Sequence, residues 1–151
     1  MDKAKVIDKL NDILRWEWTG VAQYAQHSFI IKGLLREVYA KLFEEGAEES
    51  FGHAKKIGQK ITALGGVPTL ERGQVKQSDD LTELLQFGLE FERGAVKLYS
   101  EAVEMIGTSD RALVLLLEEI LLDEQDGVDH LQKLLADPSA TAGATGKKAV
   151  G

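Results

Sequence analysis

The fold is constrained above all by where the helical pattern breaks. Apolar residues recur at steps of three and four, the mark of core-facing helices. The pattern stops near Gly33, at Gly65-Gly66-Val67-Pro68, near Gly107 and before Pro138. These breaks predict helix A over about 3–32, B over 35–64, C over 80–106 and D over 109–136. Ser78 or Asp79 is the expected cap of C. The A–B and C–D links are short, so each pair forms an antiparallel hairpin. The B–C link covers roughly residues 65–79. Helix B, at 1.5 Å per residue, is about 45 Å long, and fifteen extended residues reach roughly 50 Å. The link can therefore run the length of the bundle and start C parallel to B. The expected fold is all-α, a four-helix bundle with one long B–C crossover over residues 1–136. The last segment, 137–151 (DPSATAGATGKKAVG), is small, polar and aperiodic, and is expected to be a disordered tail.

Composition removes several function classes. The chain of 151 residues carries a net charge of −7. Phosphate binding needs a basic face, so nucleic acid is not an expected partner. The absence of cysteine excludes disulfides, thiolate metal sites and a cysteine nucleophile. It also fits a cytoplasmic location. No signal-peptide pattern follows Met1-Asp2-Lys3-Ala4-Lys5, and no apolar run is long enough to span a membrane.

The apolar stripes have polar holes. Helix A reads Leu10, Leu14, Glu17, Val21, Tyr24, Ser28, Ile31; helix B reads Leu35, Tyr39, Leu42, Gly46, Ser50, His53, Ile57, Ile61, Leu64. Helix C reads Leu81, Leu85, Gly88, Glu92, Ala95, Tyr99, Ala102, Ile106. Helix D reads Leu113, Leu117, Ile120, Glu124, Gly127 or Val128, Leu131, Leu134. Each stripe has one central ionisable residue. Residues equidistant from a hairpin turn share a height, so Glu17, His53, Glu92 and Glu124 fall in one layer, within about one helical turn of 5.4 Å. Three buried carboxylates need protons or a cation. With an imidazole among them the layer suits iron, manganese or zinc. Tyr24 and Tyr99, each seven residues after a stripe glutamate, are either core tyrosines or donors to that layer. His27 and His130 are expected at the surface or an interface, and Trp16 and Trp18 on outer faces that suit a subunit contact. Glu44, Glu45, Glu48 and Glu49 read as a solvated face.

At these residues the chain resembles the bacterioferritin branch of the ferritin-like superfamily. The resemblance rests on Leu10-Asn11, Glu17, Gln23-Tyr24 and His27, then on His53-Ala54 and the run Leu64-Gly65-Gly66-Val67-Pro68-Thr69-Leu70. It continues through Glu92, Leu98-Tyr99-Ser100-Glu101-Ala102 and Asp123-Glu124, and covers about residues 6–135. It implies a ferritin-like fold and a di-iron centre with one glutamate from each of two helices and a Glu-x-x-His from each of the others. Carried over position by position, the lone glutamates are Glu17 and Glu92. The first Glu-x-x-His becomes Ser50-Phe51-Gly52-His53, and the second becomes Glu124-Gln125-Asp126-Gly127. Four of six ligands remain, so the implied site is degenerate. The resemblance also places Phe51 where the family holds haem with a methionine, so no such haem is expected. Because Pro138 ends helix D, a homodimer or another oligomer is expected rather than the family's cage.

These features leave two classes of function open. One is an iron- or metal-binding protein of iron storage or homeostasis, at most a weak ferroxidase, acting alone or beside an intact bacterioferritin paralogue. The other is a non-catalytic structural or interaction protein on a relic bundle.

Overall fold

In the computed structural model, which describes residues 1–136, the four expected helices form. They are α1 Lys3–Ile30, α2 Arg36–Ala63, α3 Leu81–Ile106 and α4 Arg111–Leu135. The expected tail, 137–151, lies outside the described residues. α1 packs on α2 and α3, and α3 packs on α4. This is the four-helix bundle with one long crossover.

The helix ends follow from side-chain chemistry. Asp2, Asp80 and Asp110 accept hydrogen bonds from the backbone N–H of Lys5, Glu83 and Leu113, which satisfies donors otherwise left open at each N-terminus. The cap of α3 is thus Asp80, not Ser78 or Asp79; the Ser78 hydroxyl instead accepts from the Asp80 N–H. α2 has no side-chain cap. Its Arg36 turns back to donate to the carbonyls of Ser28 and Ile31, at 3.0 and 2.7 Å, and closes the end of α1. At Gly33 and Gly65 the chain turns with φ of 101° and 88°, a region costly for any residue with a Cβ.

The crossover lies along α1. Asn11 brackets it, donating to the Val67 carbonyl and accepting from the Thr69 N–H, at 3.1 and 2.8 Å. Trp18 donates to the Thr69 carbonyl at 2.9 Å, and the Thr19 hydroxyl accepts from the Gly73 N–H at 2.8 Å. Gln23 accepts from the Lys76 N–H at 3.0 Å, and His27 Nε2 bonds the Lys76 carbonyl at 2.7 Å. His27 is therefore a buried clasp, not the expected surface residue. Burial lowers its pKa, so it serves as a neutral donor. Trp16 likewise turns inward, donating to the Phe91 carbonyl at 3.1 Å and stacking on that ring. Both indole N–H groups are spent within the chain.

The core is two apolar clusters with a polar layer between them. One runs from Val6 and Leu10 through Ile57, Ile61, Ala95 and Tyr99 to Leu117 and Ile120. The other holds Tyr24, Ile31, Phe43, Leu84, Leu85, Phe91 and Leu131. Most of the expected stripes are buried, but Leu35 is 55% exposed, and Phe43, Leu84 and Phe91 are core residues outside those stripes. Gly20 makes room for this packing. A Cβ there would lie 2.3 Å from Phe91 Cζ and 2.6 Å from Ser50 Oγ. Gly20→Ala is expected to destabilise the bundle by about 1–3 kcal/mol through overpacking. Thermal unfolding checks this, and an unchanged midpoint would mean Phe91 yields freely.

Candidate metal centre

Each helix delivers one ionisable side chain to the polar layer. Glu17, His53, Glu92 and Glu124 are between 0% and 6% exposed. His53 Nδ1 lies 3.5 Å from Glu17 Oε1 and 2.6 Å from Glu124 Oε1. The latter contact is a close charge contact rather than an aligned hydrogen bond. On the other side of the ring, Nε2 lies 3.1 Å from Asp123 Oδ2. The Tyr99 hydroxyl donates to Glu17 at 2.7 Å, and the Tyr24 hydroxyl donates to Glu92 at 2.6 Å. The two tyrosines thus act as donors to the layer, as one of the two expectations had it.

One atom each from Glu17, His53 and Glu124 lies within 4.8 Å of the others. Glu92 stands slightly apart, bonded to Tyr24 and paired with Glu124. Asp123 belongs to the site although the apolar pattern did not single it out. Its signal was modest, an acid beside a stripe glutamate on the side that faces α2.

The protonation states follow from burial and contacts. Burial is the largest influence on Glu92 and raises it well above the ordinary carboxyl range; the Glu124 carboxylate adds to this. Burial also raises Glu17 and Glu124, opposed by their contacts with His53. For His53, burial pulls the pKa down, but Glu124 and Glu17 outweigh it and lift the imidazole to about 11. The contacts thus favour an imidazolium held between the Glu17 and Glu124 carboxyls, while burial and Glu124 favour the protonated form of Glu92.

The residues fit a metal ion. Glu17 Oε2, Glu92 Oε2, Glu124 Oε2 and His53 Nδ1 are buried without an aligned hydrogen-bond partner. Carboxylate oxygens and one imidazole nitrogen suit iron, manganese or zinc. Asp123 on Nε2 would fix the ring so that Nδ1 faces the ion. Ser50 and Gly127, the positions that the resemblance implies for the family's other two ligands, are small. Ser50 Oγ lies beside Gly20, and the place of a Cβ on Gly127 is 3.2 Å from Glu92 Oε2. Glu92 thus leans into the space a larger side chain at 127 would need. Glu92→Gln is expected to weaken metal binding by less than Glu124→Gln, because Glu124 lies in the tight group and Glu92 outside it. Zinc titration of both variants checks the order, and the reverse order would sink it.

The Ferritin-like domain family matches residues 7–140. Bacterioferritin of Rhodobacter capsulatus is 34% identical over 131 residues, 85% of this chain and 81% of that protein. In structure the chain is similar to a ferritin-like, diiron-carboxylate protein from Bacillus anthracis, with TM-score 0.85 and 30% identity over 89% of this chain and 98% of that one. It is also similar to a dodecameric thioferritin, the bacterioferritin-related protein of Bacteroides fragilis, with TM-score 0.86 and 28% identity over 95% and 92% of the two chains.

Proposed function

Because the chain belongs to the ferritin-like domain family, we propose that it is a bacterioferritin-like protein of iron storage or homeostasis that holds one metal ion tightly and oxidises iron weakly or not at all. One observation carries this reading: Glu17, His53 and Glu124 converge within 4.8 Å, and the resemblance implies that Ser50 and Gly127 stand at the family's other two ligand positions. Glu92 is the fourth ligand, joining once its proton leaves. Iron is the expected ion, with zinc or manganese as competitors for the same donors. Bound there, iron would supply redox chemistry one electron at a time. The chain's own part is to present deprotonated carboxylates and the His53 imidazole, hold the ring through Asp123, and keep water out with the two apolar clusters.

Three carboxylates balance one divalent ion to −1 and two to +1. A single tight ion is therefore favoured, and paired two-iron oxidation is disfavoured. The likeness to a dodecameric thioferritin supports assembly into a homodimer or larger oligomer. An intact bacterioferritin paralogue is a candidate partner in this reading, and the cytoplasm is the location. Among the described residues no helix is long and apolar enough to cross a membrane.

Haem of the family's kind is not part of this reading. Phe51, at the place of the haem methionine, offers no sulfur and lies against Trp18 with the Lys55 ammonium over its ring. Adding haemin is expected to give no axially ligated spectrum. One feature favours the relic-bundle reading: without metal, one oxygen each of Glu17 and Glu92 keeps a tyrosine donor and His53 Nε2 keeps Asp123.

Metal per chain after anaerobic Fe(II) loading tests the proposal. About one tightly held iron, with slow oxygen uptake, is the expected result. No iron at all would leave the structural reading. Rapid oxidation, lost in Glu92→Ala, would mean the two-iron chemistry persists.

A further inference from the structure

A cavity of about 700 Å³ lies between α1, α3 and the crossover. None of Glu17, His53, Glu92 and Glu124 lines it. Its volume is in the range of pockets that hold a small organic molecule. The wall is mostly apolar, with Trp16, Phe87, Phe91 and Leu98 as its large side chains. Trp16 is pinned there at three points. It stacks on Phe91, with ring centroids 5.5 Å apart and planes 12° from parallel. Its indole N–H donates to the Phe91 carbonyl at 3.1 Å. Its outer ring lies over Gly94, where a Cβ would come within 2.2 Å of Cζ2. The aromatic wall is therefore formed before anything binds, which lowers the ordering cost of binding.

The polar groups on this wall divide by whether they are already matched. Three acids line the cavity, and each has its cation: Asp12 with Arg15, Glu90 with Lys76 and Glu101 with Lys9. Arg15 also pairs with Glu71, and the Lys76 ammonium lies over the Phe87 ring. The third lining cation, Lys97, makes no ion pair among the described residues. Gln23 is the other open group. It is 4% exposed and lines the cavity, and its Oε1 accepts from the Lys76 N–H at 3.0 Å. Its Nε2 donates to no acceptor among the described residues and is not sealed in the core, so its N–H groups open on the cavity. What is acidic here is matched; what is open is a cation on α3 and an amide donor on α1.

We propose that this cavity binds an aromatic carboxylate with an oxygen at its far end. The flat body lies against Trp16, Phe87 and Phe91. The carboxylate pairs with Lys97, and the far oxygen accepts from Gln23 Nε2. A neutral aromatic leaves Lys97 unmatched, and an aromatic cation meets only acids that already have partners. This site is independent of the proposed metal site.

Calorimetric titration of the full-length protein with 6-hydroxy-2-naphthoate tests this, with a chelator present so that metal plays no part. Native protein is expected to bind a single molecule per chain. Lys97→Gln should weaken binding about fivefold, the reach of one exposed ion pair. Lys97 is exposed, so this variant should keep its helix content and melting point. Lys55→Gln is the control, because Lys55 also sits over an aromatic ring, that of Phe51, but outside the cavity. It should change nothing. The corresponding carboxamide should bind native protein more weakly than the acid, and native and Lys97→Gln protein equally. 2-Naphthoate, which lacks the hydroxyl, should bind more weakly than the hydroxy acid. Absence of saturable binding, an unchanged affinity in Lys97→Gln, or an equal loss in Lys55→Gln overturns the proposal. A carboxamide that binds as tightly as the acid overturns the role of Lys97, and a 2-naphthoate that binds as tightly as the hydroxy acid overturns that of Gln23.

Discussion

Replacing His53 with alanine is expected to lower the affinity of the inner site for zinc or ferrous iron by about a hundredfold or more. Residues that merely orient a ligand typically account for about 10–100-fold in metal affinity, and a direct ligand should match the top of that range. Here it is also the only imidazole in a ring of carboxylates. Asp123→Asn should cost less, about tenfold, because it removes only the partner on Nε2. Competition with a chromophoric chelator measures both. If His53→Ala binds as tightly as native protein, the ion is not held by the Glu17, His53 and Glu124 group.

The metal-free protein is expected to lose stability as pH rises, and metal to reverse this trend. His53 is lifted from an ordinary 6.5 to about 11 by Glu124 and Glu17, against the pull of burial. A raised imidazole contributes fully below the unfolded value of about 6.5 and loses its contribution as pH climbs towards 11. The buried carboxyls act in the same direction. Glu17, Glu92 and Glu124 are raised, chiefly by burial. Above the ordinary carboxyl range the unfolded chain therefore releases protons that the folded chain retains. The slope reaches about 1.4 kcal/mol per pH unit for each proton so retained. Urea unfolding with a chelator should show higher stability near pH 5 than near pH 9. With zinc the order should invert, because the ligands must lose their protons to bind. A flat profile without metal would mean that the imidazolium is not held between the carboxylates.

Much of this was legible in the sequence because helical periodicity reports burial directly. Glu17, His53, Glu92 and Glu124 interrupt otherwise apolar stripes, and counting from the turns places them at one height. Residues that serve the site from other faces were harder to see. Phe91 directly precedes Glu92, yet its ring reaches α1 only because Gly20 has no side chain. His27 carries no mark in the sequence that separates a buried clasp from a surface histidine. Its partner is a backbone carbonyl 49 residues away. The pairing of His53 with Asp123 depends on the register of α2 against α4. Two helices that are not consecutive in the chain have no turn between them from which to count.

The way the crossover is held has a consequence for what can change in it. Asn11, Trp18, Thr19, Gln23 and His27 bond the main chain of Val67, Thr69, Gly73 and Lys76 rather than their side chains. The side-chain contacts of the segment, such as Lys76 with Glu90 and Arg15 with Glu71, are exposed ion pairs of little worth. Most substitutions between Thr69 and Lys76 should therefore be silent. Inserting or deleting a single residue there would put every contact beyond it out of step with α1. The segment is free in its spelling and fixed in its length.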